Sequence, residues 1–234
     1  MSKKYAIIAL TGIAAVLAAA PSSKAAVTAA NNYKQGKVYK ITPKSKPFKN
    51  KYVKAPTYNK KTRTYFTIRS YMEKFQKAKK GTLVLKKGTY KITNTIQVPS
   101  NVTIILEKGA KKSNQTGTKK MKAATTIFQL IKPSNREKSN VYGGHNGEKN
   151  IHFVGKGSNV MDLKYLKANI AIVMGHNKDI TVSGITFQNV NTGHFIEMAA
   201  SQNVTISKCK FKNVKSGSDY VKEAINIDTP DKET

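Results

Sequence analysis

The chain has 234 residues, a formal net charge of +30 and one cysteine, Cys209. A lone cysteine excludes an internal disulfide framework, so the fold rests on burial and hydrogen bonding. Only Arg63, Arg69 and Arg136 are arginines. Lysine is a solvated point charge and not a fork for bases or phosphates, so the charge speaks for diffuse attraction to a polyanion and against specific nucleic-acid readout.

Lys3 and Lys4 precede an apolar run at residues 5–20. Pro21 and small residues up to Ala25 come next, which reads as a signal peptide over 1–25. The run is shorter than the roughly 20 apolar residues that span a bilayer, so no transmembrane segment is expected once it is removed. Losing Lys3, Lys4 and Lys24 with it lowers the charge from +30 to +27. Export is the consequence, either free or held in a negatively charged cell wall. A cysteine-poor exported monomer of one domain is expected.

Residues 26–66 are rich in Lys, Tyr, Asn and Pro, with weak periodicity, and read as a loosely ordered lead-in or a short extended cover. From Thr67, Ile68, Tyr71, Met72, Phe75 and Ala78 fall on one face of a helix. Ser70-x-x-Glu73 offers a capping box and Gly81 a C-terminal stop. Its role is to cover the first turn of the strand-rich region on its C-terminal side.

Strand patterns then come in quick succession at 82–85, 90–92, 95–98, 102–106 and 126–131. Between the last two, residues 111–122 form a polar, Lys-rich insertion. Residues 134–150 are a second polar excursion, and Asn150 opens the next strand. Further on the chain repeats itself: DITVSGITFQNV (179–190) returns as NVTISKCKFKNV (203–214), 24 residues later. Ile170, Ile172 and Met174 likewise precede His194, Ile196 and Met198 by 24. Short alternating strands at a fixed period are the mark of a solenoid. The fold expected over 67–234 is all-β, a single-stranded right-handed parallel β-helix with an N-terminal capping α-helix. Cys209 falls at the position of Ile185 one turn earlier, where a buried structural thiol is expected. Asn101, Asn150, Asn189, Asn203 and Asn213 recur at strand corners and read as stacked asparagine turns.

GTLVLKKGTY (81–90) followed by VPSNVTIILE (98–107), with the later Asn-Val-Thr-Ile turns, resembles the pectate-lyase-like, polygalacturonase-like β-helix superfamily. The resemblance covers 67 to the C-terminus. It implies a carbohydrate-active surface, since most members cleave or bind acidic polysaccharides. Members continue for further turns, so an incomplete C-terminal end is expected where the chain stops at Thr234. The polygalacturonase Asn-Thr-Asp, Asp-Asp, Gly-His-Gly and Arg-Ile-Lys motifs are missing, as are the arginines of a pectate lyase site, so no catalytic residue carries over by motif.

Parity supplies the candidates instead. With Ile170, Ile172, Met174, Ile196 and Met198 inward, Phe195 and Glu197 point out above Ala171 and Val173. EAINID (223–228) then registers with Ile225 and Ile227 inside, Asn226 beside Glu197, Asp228 on the same face, and Glu223 beside His194. The candidate catalytic residues are Glu197, Asp228, His194 and Glu223; the candidate substrate-binding residues are Asn226, His176 and Lys222. Paired carboxylates suit glycoside hydrolysis, with retention at roughly 5 Å separation and inversion at roughly 6.5–9.5 Å. A lyase needs a base near C5 and a neutralising charge, Ca²⁺ or Arg. No metal site is expected from His spacing and no cofactor is implied, Ca²⁺ entering only with a lyase. Two functions remain open: a secreted hydrolase or lyase acting on acidic glycans, and a non-catalytic, Lys-rich solenoid that grips a wall glycan or a teichoic-acid-like polyanion.

Overall fold

Three parallel sheets wrap a single core. The computed structural model describes residues 32–107, 109–113, 121, 124–215 and 223–229; the signal segment 1–25 and Lys222 lie outside them. The strands are β1 (Val38–Ile41), β2 (Gly81–Leu85), β3 (Tyr90–Ile92), β4 (Ile96–Gln97), β5 (Val102–Leu106), β6 (Gly109–Ser113), β7 (Thr126–Gln129), β8 (Lys149–Gly155), β9 (Asn159–Asp162), β10 (Ile170–Gly175), β11 (Lys178–Ser183), β12 (Thr186–Val190), β13 (Ile196–Ala199), β14 (Gln202–Ser207), β15 (Lys210–Val214) and β16 (Ile225–Asp228). Sheet 1 orders as β1-β2-β5-β8-β11-β14, sheet 2 as β3-β6-β9-β12-β15 and sheet 3 as β4-β7-β10-β13-β16. Each full turn lays one strand on each sheet. This is a parallel β-helix.

The period read from the sequence is the observed register. Ile172 pairs with Ile196, Ile180 with Val204 and Phe187 with Phe211, each 24 residues apart. Equivalent side chains therefore stack in columns: Ile96–Phe128–Ile172–Ile196–Ile225 inside sheet 3, and Leu83–Ile104–Phe153–Val182–Ile206 inside sheet 1. Phe187 and Phe211 stack at 5.3 Å with planes 12° apart. Ile227 pairs with Met198 but is 74% exposed, since no strand covers it among the described residues.

Asparagine corners hold the register. Asn101, Asn150, Asp179 and Asn203 all have φ between 54° and 58°. Asn150 Nδ2 donates to Asn101 Oδ1 at 3.0 Å and Asn203 Nδ2 to Asp179 Oδ1 at 3.0 Å. A second ladder runs Asp162–Asn189–Asn213, with bonds of 2.8 and 3.0 Å. Asn and Asp tolerate the left-handed region and can satisfy one another there, so each turn carries its own corner.

The N-terminal end differs from expectation in several places. Within the described part of the lead-in, β1 adds a strand parallel to β2, and α1 (Asn50–Val53) comes after it. The main helix, α2 (Arg63–Ala78), starts at Arg63, before Thr67. Ser70 is no cap. Its hydroxyl donates to the Thr67 carbonyl and accepts from the Phe48 N–H, while Glu73 binds Arg69, Lys51 and the Tyr52 hydroxyl. Nor does Gly81 end the helix, because Lys79 at φ 61° closes it. Gly81 begins β2, and a Cβ there would lie 2.1 Å from the Phe75 ring. Close packing of α2 on β2 is what demands glycine. The polar insertion at 111–122 also opens with structure, since β6 pairs with β3 and β9.

Candidate functional site

Sheet 3 presents one outward column. Gln97 pairs with Gln129, Gln129 with Val173, Val173 with Glu197, and Glu197 with Asn226. Strand alternation puts Asp228, two residues past Asn226, on the same side. Asp228 is exposed, and its Oδ1 accepts the Thr229 N–H at 2.8 Å. At the other strand end, His194 Nδ1 lies 3.4 Å from Glu223 Oε2 and donates to the Glu223 carbonyl at 3.2 Å. Glu197 is half-buried and its carboxylate has no protein partner among the described residues. The structure thus sets Glu197 beside Asn226 with Asp228 on the same side, and His194 beside Glu223 just ahead of β13 and β16.

Two expectations are corrected. Phe195 does not point out: it is fully buried, 6.2 Å from the Phe187 ring and 5.6 Å from Phe211. It precedes β13, in a corner where alternation lapses and consecutive residues can both turn inward. His176 is not on the open face either. It is buried, its backbone φ is 58°, and its Nδ1 donates to the Gly144 carbonyl at 2.7 Å. Its side chain secures the loop that carries Gly144.

That loop, residues 131–148, forms a wall along the ends of the sheet 3 strands. Its short 3-10 turn, Pro133–Asn135, docks on α2, where Ser134 and Gln76 exchange bonds of 2.7 and 3.1 Å. Glu148 is buried and accepts the Ser100 N–H and hydroxyl, both at 2.6 Å, and the Tyr142 hydroxyl at 2.5 Å. Asn177, fully buried, donates to the Leu130 and Glu148 carbonyls at 3.0 Å each and accepts the Gly175 N–H at 2.9 Å. His145 reaches the Ala200 carbonyl at 2.8 Å. Between the loop and β4–β7 lies a cleft of about 410 Å³, lined by Asn94, Gln97, Gln129, Arg136, Glu137 and Lys138 among others. Sequence reasoning missed Arg136 and Glu148, because their partners are distant in the chain and neither belongs to a repeat.

Lys34, Lys40, Lys86 and Lys156 come together at one corner of sheet 1. Lys86 and Glu107 pair at 2.8 Å. Burial, with the cations of Lys34, Lys86 and Lys40 working against the pull of Glu107, holds Lys156 below the usual lysine range. No group of three or more His, Cys, Asp or Glu able to hold a metal ion occurs among the described residues. None of the described helices is long and apolar enough to cross a membrane.

No family model and no curated protein sequence matches the chain. Solved structures do. The Streptococcus pneumoniae surface protein and adhesin PfbA is similar over 80% of this chain and 46% of its own, at 17% identity and a TM-score of 0.55. A tailspike protein mutant of the E. coli bacteriophage HK620, solved in complex with a pentasaccharide, is similar over 86% of this chain and 35% of its own, at 14% identity and a TM-score of 0.52. The likeness is one of fold. The chain spans less than half the length of either structure.

Proposed function

We propose that the chain is a secreted, carbohydrate-active β-helix of polysaccharide hydrolase or lyase lineage, acting on acidic glycans at the outer face of sheet 3. The pectate-lyase-like, polygalacturonase-like superfamily is the lineage the sequence resembles. The observation that carries the reading is Glu197: a half-buried carboxylate without a protein partner among the described residues, paired with Asn226, near Asp228, on a rigid face. Such a group can give a proton to a leaving glycosidic oxygen, or take one from C5 of a uronate. Asp228 is the second carboxylate on that face. His194 and Glu223 form a linked pair at its edge. Asn226 supplies an amide for sugar hydroxyls, and Lys222 is a further substrate-binding candidate.

A second reading is a non-catalytic binder of wall glycan or teichoic-acid-like polyanion. It draws on the lysine corner around Lys156 and on the fold likeness to a surface adhesin. Glu197→Gln separates the two. In the enzyme reading it abolishes the release of reducing or unsaturated ends from acidic polysaccharides, at an unchanged melting temperature. In the binding reading it changes nothing, and retention on the polymer falls steeply as salt shortens the screening length. Wild-type protein that neither cleaves nor retains any acidic glycan refutes both.

A further inference from the structure

The three arginines lie on α2 or reach it and have different fates. Arg69 is committed to Glu73 at 2.9 Å and to the Tyr65 hydroxyl at 3.1 Å. Arg63 donates to the Pro43 carbonyl at 3.2 Å. Arg136 lies in the cleft wall, 71 residues from Tyr65 in sequence, and its Nη1 donates to the same Tyr65 hydroxyl at 2.9 Å. Tyr65 is fully buried, so this bond fixes where the guanidinium fork points. Among the described residues, the other terminal nitrogen, Nη2, contacts a neighbour in sequence: Glu137 Oε1 at 3.1 Å, on a side chain 78% exposed.

We infer that Arg136 is a receptor for a ligand carboxylate, and that Glu137 occupies it as an internal stand-in until the ligand displaces it. The inference rests on the acidic-glycan reading and adds a binding locus remote from Glu197. Glu137 is held with φ at 64°, a left-handed backbone that glutamate rarely adopts, so its contact with Arg136 is backed by a conformation of low intrinsic preference. Exposed ion pairs add little stability, so the exchange is cheap. A uronate carboxylate can take the place of Glu137 Oε1 at Nη2 while Nη1 stays on the Tyr65 hydroxyl. The rest of the cleft suits a sugar: Gln97 and Gln129 stand side by side on paired strands with amides that donate and accept, Asn94 adds a third amide, and Lys138 is a second cation. About 410 Å³ lies within the range of small-ligand sites. Gln129 and Glu197 belong to one column, separated by two strand spacings, so roughly 10 Å divides the cleft from the Glu197 cluster. One acidic oligosaccharide lying along the helix axis would touch both.

The test measures binding of an oligogalacturonate of defined length, and of its methyl ester, by titration calorimetry. Removing the forked cation in Arg136→Met is expected to weaken binding of the acid about 10- to 100-fold and to leave the ester unaffected. Removing the competitor in Glu137→Gln is expected to tighten the acid up to about fivefold. Asp179→Asn makes the same charge change at an exposed corner of sheet 1, keeps the acceptor for Asn203, and should do nothing. Arg136→Lys guards against a folding defect: it keeps the charge on the chain, and with an unchanged melt it should still lose most of the affinity. With only three arginines, the side-chain Nε–H resonances report the cleft directly, and free galacturonate should shift that of Arg136, more so in Glu137→Gln. If wild-type protein binds the oligomer and neither variant alters it, the inference fails while the glycan reading stands. If no oligomer binds but the Arg136 resonance responds to the monosaccharide, the inference survives and the glycan reading falls.

Discussion

Asn177→Ala probes how the loop at 131–148 is held to the helix. The side chain is fully buried and makes three hydrogen bonds, to the Leu130 and Glu148 carbonyls and from the Gly175 N–H. Each neutral bond contributes about 1 kcal/mol net, and buried groups left unpaired add to the loss, so truncation should cost about 3–4 kcal/mol. For a domain of this size about 1 kcal/mol moves the midpoint by about 2–4 °C, giving a fall of roughly 6–16 °C. Thermal and urea unfolding by circular dichroism measure it. Because Leu130 and Glu148 bracket the loop, the variant should also be cut by protease within 136–146 faster than wild type. Asn203→Ala is the control, an exposed corner residue with one side-chain bond to Asp179, expected to cost about 2 kcal/mol from that bond and from alanine in left-handed backbone at φ 54°. A loss for Asn177→Ala no greater than for Asn203→Ala would show that the buried amide does not anchor the loop.

Gly81→Ala should destabilise by about 1–3 kcal/mol, because the new methyl meets the Phe75 ring; a companion Phe75→Leu that fails to recover part of that loss in denaturant melts would count against the packing argument. His152 is held below its ordinary pKa by burial under the Tyr33 ring, its Nε2 bonded to Asn150 Oδ1 and its Nδ1 without a partner among the described residues. The unfolded chain therefore takes up the proton more readily. This stability is present above about pH 6.5 and is lost as pH falls towards the depressed folded value, a slope that His152→Gln should flatten in melts between pH 7 and pH 5. Burial pushes the Cys209 thiol up, so at pH 8 it should react with an aromatic disulfide reagent much more slowly in folded than in urea-unfolded protein, and equal rates would place it on the surface.

The repeat is why so much of the fold is legible in one sequence. The 24-residue period pairs Ile172 with Ile196, and the inward parity of Ile225 and Ile227 pairs Glu197 with Asn226 29 residues on, both without any knowledge of distance. Parity fails where a strand ends: Phe195 turns inward from a corner, and His176 takes a left-handed turn beneath a loop. The capping helix was visible from its apolar stripe, but its start was not. Thr62, at the N-cap position, makes no side-chain cap bond to the helix and instead donates its hydroxyl to the Thr57 carbonyl, so no local cap signal marked it.

Periodicity was enough to dictate the solenoid, its register and the face that carries Glu197, because each turn must repeat the inward pattern of the one below. The layer that covers this scaffold is set by contacts between distant parts of the chain. Gln35 bonds Thr82 and Thr103, Thr103 donates to the Tyr33 carbonyl, and Arg136 reaches Tyr65, all across 47 to 71 residues. Contacts of that kind are made once and leave no period in the sequence, so only the folded chain places a cleft beside the column of glutamines.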